Sequence, residues 1–143
     1  MTVGAQPAVL TRRTFAYFRA ASGSLSLADL VKLLGVDADE GWSVGEAHPR
    51  ANQGRPARAF TSWHVYPLDR GGSVSDQLTS LYPRVRAVRA DAVRAAEGLT
   101  LVLEIVQYLH ELDNENIGVA LDAEWVALLA ELGAHIDIDQ YLA

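Results

Sequence analysis

A helical stripe in the middle of the chain constrains the fold more than any other feature of the sequence. Between positions 74 and 95 apolar residues recur at steps of four and three, which places them on one face of a helix. The stripe consists of Val74, Leu78, Leu81, Val85, Val88, Ala92 and Ala95. Pro83 lies off the stripe and predicts a kink or a restart of the helix. A helix with one apolar face requires a second layer to pack against.

Strand-like segments on both sides of this helix supply the second layer. Residues 13–22 and 59–68 are rich in strand formers, and 99–109, "LTLVLEIVQYL", is a long apolar run. Residues 134–142, "AHIDIDQYL", alternate strictly between apolar and polar. We expect further short strands at Trp42 and at 117–121, "IGVAL".

Two more helices are predicted from their end signals. Ser26 is a candidate N-cap for a helix that stops at Gly35, and Asp122 caps a second helix that stops at Gly133. The predicted order is roughly β-α-β-β-α-β-β-α-β. This order indicates an α+β sandwich with helices packed on one face of a mostly antiparallel or mixed sheet. We expect a single domain over residues 13–143, preceded by a flexible segment 1–12.

Composition excludes several classes of function. None of the 143 residues is cysteine, which excludes disulfides, thiolate metal sites and cysteine nucleophiles. The N-terminus lacks a signal pattern, and no apolar stretch approaches the ~20 residues of a membrane helix, so we expect a cytoplasmic protein with no membrane partner. The net charge is −6, yet all 12 basic residues lie within 1–94. This division favours pairing between Arg84, Arg86, Arg89 and Arg94 and acidic groups of residues 95–143, or with a partner.

The segment 33–46, "LLGVDADEGWSVGE", carries a resemblance. Its Leu34-Gly35, its Asp37 and the Trp-x-x-Gly of Trp42 and Gly45 are followed by Trp63 on a later strand. The end of the chain has a similar pattern, Leu132-Gly133 before "IDID" at 136–139. Across roughly 13–141 the sequence resembles the DUF4279 family of small, mostly bacterial proteins of unknown function. The resemblance implies a fold type and brings no activity.

Motifs for catalysis or for cofactor binding are absent from the sequence. It has no glycine-rich phosphate loop, no His-Glu-x-x-His and no Gly-x-Ser-x-Gly, so no catalytic residue and no cofactor is predicted. His135, Asp137 and Asp139 share one face of a strand and could hold a hard cation, but such a row is more often a solvated face, and no metal site is predicted. The acidic charge also argues against nucleic acid, despite three arginines at 50–58.

The two tryptophans Trp42 and Trp63 allow two interpretations. The first makes both of them core anchors that bind the long 46–58 loop to the helices. The second makes them the walls of a ligand or partner cleft roofed by that loop, with Gly45 and Arg58 beside them.

Alternation along the strands predicts a second surface. If Trp63 and Leu103 point toward the helices, their neighbours form an outer sheet face that is unusually apolar. Its members are Phe60, His64, Tyr66, Val102, Val106 and Tyr108. We expect homodimerisation through this face, and a non-catalytic protein-interaction module, with an immunity-type protein as one version. The alternative is a small-molecule-binding protein or an unrecognised enzyme that uses the tryptophan cleft.

Overall fold

The aromatic-rich segment near the N-terminus forms the central strand of a five-stranded sheet. A computed structural model describes residues 14–109 and 118–142, and within them the chain forms five strands, four α-helices and a short 3-10 helix at Ala51–Gln53. The strands are β1 (Thr14–Ser22), β2 (Glu40–Trp42), β3 (Thr61–Val65), β4 (Leu99–Leu109) and β5 (His135–Leu142). The helices are α1 (Leu27–Leu34), α2 (Val74–Arg86), α3 (Ala90–Ala95) and α4 (Ala123–Leu132).

The sheet is mixed, in the order β2-β3-β1-β4-β5. β1 is antiparallel to both β3 and β4, and β2 is antiparallel to β3. β5 runs parallel to β4, and the chain between them contains α4, as a parallel connection requires. The predicted α+β class with a mixed sheet is therefore confirmed.

The core lies between the helices and one face of this sheet. Phe18, Trp63 and Leu103 come from three adjacent strands and are fully buried there. Trp63 donates its indole N–H to the backbone oxygen of Val36 over 2.9 Å, so its one polar atom is satisfied. On the helix side, Trp125 of α4 donates to the backbone oxygen of Leu78 over 3.2 Å. Trp63 is thus a core anchor.

The end signals of the helices hold as predicted. Ser26 accepts a hydrogen bond from the backbone N–H of Asp29, and Asp122 accepts one from Trp125. Gly35 and Gly133 end their helices in the left-handed conformation, at φ 76° and 62°. No helix within 14–109 and 118–142 is long and apolar enough to cross a membrane.

Two expectations about the elements are wrong. The 74–95 stripe is divided between two helices, and the break lies at residues 87–89 because the N–H of Arg89 donates to the backbone oxygen of Leu34 over 3.0 Å. Pro83 stays inside α2. Residues 118–121 form no strand, and β4 already pairs along its length with β1 and β5. The segment 1–12, predicted to be flexible, lies outside the described residues.

The arginines of α2 and α3 also differ from expectation. Arg84 makes a two-pronged ion pair with Asp39, from the N-terminal half of the chain, and also donates to the backbone oxygen of Tyr66. Arg94 reaches the backbone oxygen of Glu131 at 3.4 Å rather than a carboxylate. The predicted pairing with acidic residues of the C-terminal half is therefore wrong for Arg84, because the turn before β2 brings Asp39 to the end of α2.

A buried glutamine completes the hydrogen bonding of β1 where β3 ends. β3 pairs with β1 only from Phe18 to Ser22, so the backbone of residues 14–17 has an open side. Gln77 of α2 is almost fully buried beside it. Its Oε1 accepts from the N–H of Ala16 over 2.9 Å, and its Nε2 donates to the oxygens of Thr14 and Gly72 over 3.0 Å each. One side chain thus replaces the backbone groups of a missing strand.

Candidate functional site

The face of the sheet that points away from the helices is the main candidate for function. We call it the outer face. Register fixes its members, because Tyr17 pairs with Glu104, and Glu104 with Asp137, across three strands. Of the residues predicted for this face, His64, Tyr66, Val102, Val106 and Tyr108 lie on it. Phe60 lies in the loop just before β3, and 61% of it is exposed.

Five aromatic rings form a continuous line across the outer face, which we call the aromatic row. It consists, in spatial order, of Tyr66, Tyr17, Phe15, Tyr108 and Tyr141. Successive ring centroids are 5.9, 6.3, 6.3 and 5.4 Å apart, which is the range of favourable aromatic contacts. Phe15 and Tyr141 remain 37% and 50% exposed. A sheet face with this many large rings at its surface is atypical of a solvated face.

The two ends of the aromatic row carry opposite charge. At one end the guanidinium of Arg70 lies over the ring of Tyr66, 4.3 Å from its centroid. At the other end Asp139 and Asp137 precede Tyr141 on the same face of β5. The row therefore has a cationic end, an acidic end and Phe15 near its middle.

The acidic end includes a buried carboxyl group. Glu104, Asp137 and Asp139 each offer a carboxylate oxygen within 4.8 Å of the others. Burial, then the neighbouring Asp137, raises the pKa of Glu104 to about 6. Arg19 Nε lies 3.4 Å from Glu104 Oε2, and its positive charge offsets part of this rise in pKa. Such a set of oxygens could hold a hard cation, but exposed acidic groups are common without one. His135, which the sequence placed with Asp137 and Asp139, is replaced in this group by Glu104.

A cavity of about 360 Å³ lies on the other part of the outer face, under the loop before β3. We call it the arginine cavity. Its polar and aromatic lining consists of Arg19, Trp42, His48, Arg55, Arg58, Phe60 and Ser62. Of the residues predicted for a cleft, Trp42 and Arg58 line this cavity.

Trp63 does not belong to this cavity. Gly41 and Trp63 are paired residues and share one face of the sheet, so the adjacent Trp42 points to the opposite face. Trp42 is therefore no core anchor, and the two tryptophans do not form one cleft. The sequence pattern could not separate them, because the faces depend on which residues of β2 and β3 pair.

The cavity is roofed by a loop whose backbone is fixed. Gly45 has φ 84° and donates its N–H to the oxygen of Arg58 over 2.8 Å, while Arg58 donates to the oxygen of Glu46 over 2.8 Å. The Glu46 carboxylate also accepts from the N–H of Ser43 over 2.7 Å. These bonds place the Arg58 guanidinium over the Trp42 ring, with Cζ 3.8 Å from the ring centroid.

A polar network separates the cavity from the aromatic row. Ser62 Oγ and His64 Nε2 are 2.7 Å apart, His64 Nδ1 is 3.7 Å from Glu40, and the Tyr66 hydroxyl donates to Glu40. Burial lowers the pKa of His64 despite the nearby Glu40 carboxylate, so the ring is neutral at pH 7. The Glu40 carboxylate is too far from His64 to accept a hydrogen bond from it, and it accepts one from the Tyr66 hydroxyl instead. The network satisfies polar groups of the outer face.

Comparison with known proteins gives one match. A family model described as a domain of unknown function, DUF4279, matches residues 12–143. No curated protein and no solved structure matches the chain.

Proposed function

This chain belongs to the DUF4279 family, and we propose that it is a non-catalytic interaction module whose partner surface is the aromatic row. The observation that carries the proposal is the line of five contacting rings on a sheet face that no described helix covers. Contiguous apolar surface of this kind marks an interaction site in most soluble proteins. Aromatic rings also supply much contact area at a small cost in side-chain entropy.

We propose a second copy of the chain as the partner. A two-fold axis through Phe15, lying in the interface and perpendicular to the row, would exchange the two ends of the row. The Arg70 end of each copy would then lie over the Asp137 and Asp139 of the other. The row is in this way complementary to itself in charge as well as in shape, as a two-fold interface requires.

Molar mass in solution tests this proposal. The 15.5 kDa chain should elute as a dimer in size-exclusion chromatography with light scattering at micromolar concentration. Phe15→Glu should give a monomer, because it places a charge on the axis. Phe60→Glu is the matched control, since Phe60 is more exposed than Phe15 but lies outside the row. Far-ultraviolet circular dichroism would show that both variants are folded.

Exchanging the charges at the two ends of the aromatic row tests how the two copies are arranged. Arg70→Glu should weaken the dimer, and Arg70→Glu combined with Asp139→Arg should restore part of it, because the pair meets across the axis. A wild-type monomer at every concentration would contradict self-association. Equal effects of Phe15→Glu and Phe60→Glu would contradict the row as its site.

A basic protein partner is the heterotypic version of the same proposal. The acidic end of the row and the net charge of −6 favour a cationic surface over nucleic acid. An immunity-type role, in which the chain neutralises a basic toxin, belongs to this version. It would be indicated by a monomer in isolation that forms a salt-sensitive complex with such a protein. We place either version in the cytoplasm, which suits a chain without cysteine.

A further inference from the structure

Two residues of the outer face have a buried side-chain atom without a hydrogen-bond partner among the described residues, Arg58 at Nε and Glu104 at Oε1. The Nε–H group of Arg58 is buried and donates to no acceptor among the described residues. Buried polar groups in proteins are almost always paired, so an orphaned donor needs an explanation. Arg58 also has no carboxylate within 4.0 Å in the described part of the chain, unlike Arg19 and Arg84.

The position of Arg58 is fixed before any ligand arrives. Its backbone N–H and oxygen are both bonded within the loop, to Glu46 and Gly45. The Cζ of its guanidinium lies 3.8 Å from the centroid of the Trp42 ring, and the rings of Trp42 and His64 are in an edge-to-face arrangement with centroids 5.3 Å apart. A guanidinium held over an aromatic ring keeps N–H donors for an acceptor. A preorganised arginine loses little side-chain entropy on binding.

The charge of the cavity is positive although the protein is acidic. Arg55, Arg58 and His48 all line it, together with Arg19, and none of the lining residues is Asp or Glu. Partial desolvation and the guanidinium groups of Arg58, Arg55 and Arg50 lower the pKa of His48. Like charges are thus gathered without a counter-ion from the cavity's own lining, and an anion would relieve their repulsion.

The rest of the lining is apolar and suits the body of a small organic molecule. It consists of Ala21, Pro56, Ala57, Ala59 and the exposed ring of Phe60. A volume of about 360 Å³ is at the small end of known ligand pockets. That space fits a single ring or a short chain with one charged head group.

We propose that the arginine cavity binds a small organic oxyanion, a carboxylate or a phosphate monoester, at the guanidinium group of Arg58. An oxyanion accepts charge-assisted hydrogen bonds from guanidinium N–H groups, two at a time in the bidentate geometry. Arg55 adds positive charge, and the alanine, proline and Phe60 side chains contact the apolar body. The cavity includes no residue of the aromatic row, so this site does not depend on self-association.

Calorimetric titration with four probes tests the ligand class. Benzoate and phenyl phosphate should bind, and benzylamine and benzyl alcohol should not. Arg58→Ala should weaken binding of the two anions about 10- to 100-fold, the effect of losing one charged hydrogen-bond pair. Arg86→Ala is the matched control, an exposed arginine of α2 that does not line the cavity, and it should bind as wild type does. Whichever anion binds more tightly identifies the head group.

A spectroscopic readout covers the case in which Arg58→Ala does not fold. In wild-type protein the ¹H–¹⁵N signal of Arg58 Nε should shift on addition of the anion and stay unchanged with benzyl alcohol. Arg58→Lys keeps the charge and loses the planar edge, so it should bind less tightly than wild type. Anion affinity unchanged in Arg58→Lys and Arg58→Ala would overturn the proposal. So would equal binding of benzylamine, or no shift of the Arg58 signal at millimolar anion.

Discussion

Replacing Gln77 tests how strongly one side chain holds the open side of the central strand. Gln77→Met keeps the length and most of the volume of the side chain but removes its two N–H donors and its acceptor oxygen. The N–H of Ala16 then becomes a buried donor without a partner, at a cost of about 1–3 kcal/mol. The oxygens of Thr14 and Gly72 are partly buried, and losing their donor costs about 0.5–1 kcal/mol each.

The expected loss is therefore about 2–5 kcal/mol, a large part of the 5–15 kcal/mol that stabilises a typical domain. Urea denaturation followed by tryptophan fluorescence would measure it as a lower midpoint with an unchanged slope. Gln53→Met is the control, because Gln53 is exposed in the loop and should stay within 0.5 kcal/mol of wild type.

Gln77→Glu gives the same test a pH dependence. A carboxylate at this site would face the oxygens of Thr14 and Gly72 in a buried position, so its folded pKa should lie above the unfolded value of about 4.3. The variant is therefore destabilised at neutral pH and should recover stability as the pH falls through the folded pKa toward 4.3.

If Gln77→Met unfolds at the wild-type midpoint, the three hydrogen bonds of Gln77 do not stabilise β1 and the reasoning is refuted.

Two further predictions concern the two faces of the sheet. Trp63→Ala should lower the free energy of unfolding by about 3–5 kcal/mol because the ring is fully buried. Trp42→Ala should lower it by under about 2 kcal/mol because that ring is half-buried on the outer face. Equal losses in urea melts of the two variants would contradict the assignment of the tryptophans to opposite faces. Because the pKa of Glu104 is raised to about 6, its contribution to stability falls as the pH rises from 4.5 through 6. Wild type should thus lose about 1–2 kcal/mol relative to Glu104→Gln between pH 4.5 and 7.5, and a constant difference between the two would contradict the raised pKa of Glu104.

The sequence predicted correctly those features that depend on contacts between neighbouring residues of the chain. The caps at Ser26 and Asp122 and the glycine stops at Gly35 and Gly133 were predicted from neighbouring residues alone, since a cap is a contact within one turn of helix. The limits of β4 were predicted correctly for the same reason, because the apolar run "LTLVLEIVQYL" follows a glycine and precedes a polar stretch of sequence.

The candidate site depends on contacts that are distant in sequence. Trp42 faces the cavity because Gly41, and not Trp42, pairs with Trp63, and a shift of one residue would have reversed both faces. Arg58 reaches Trp42 through a loop whose path is fixed by Gly45. No periodicity in the sequence encodes either contact. The break between α2 and α3 is of the same kind, since it depends on a hydrogen bond to Leu34.

The central place of β1 has a consequence for synthesis of the chain on the ribosome. Phe18 pairs on one side with Val65 and on the other with Leu103, so the strand made first waits longest for its neighbours. Until β4 has emerged, a nascent chain displays Phe15, Tyr17 and Phe18 on a strand with free edges, which invites association with other unfinished chains. Gln77 emerges before β4 and could occupy part of that edge early. Slowing translation while Gln77 is outside the ribosome and β4 is still in the exit tunnel should then raise the soluble yield, and Gln77→Met should remove the benefit.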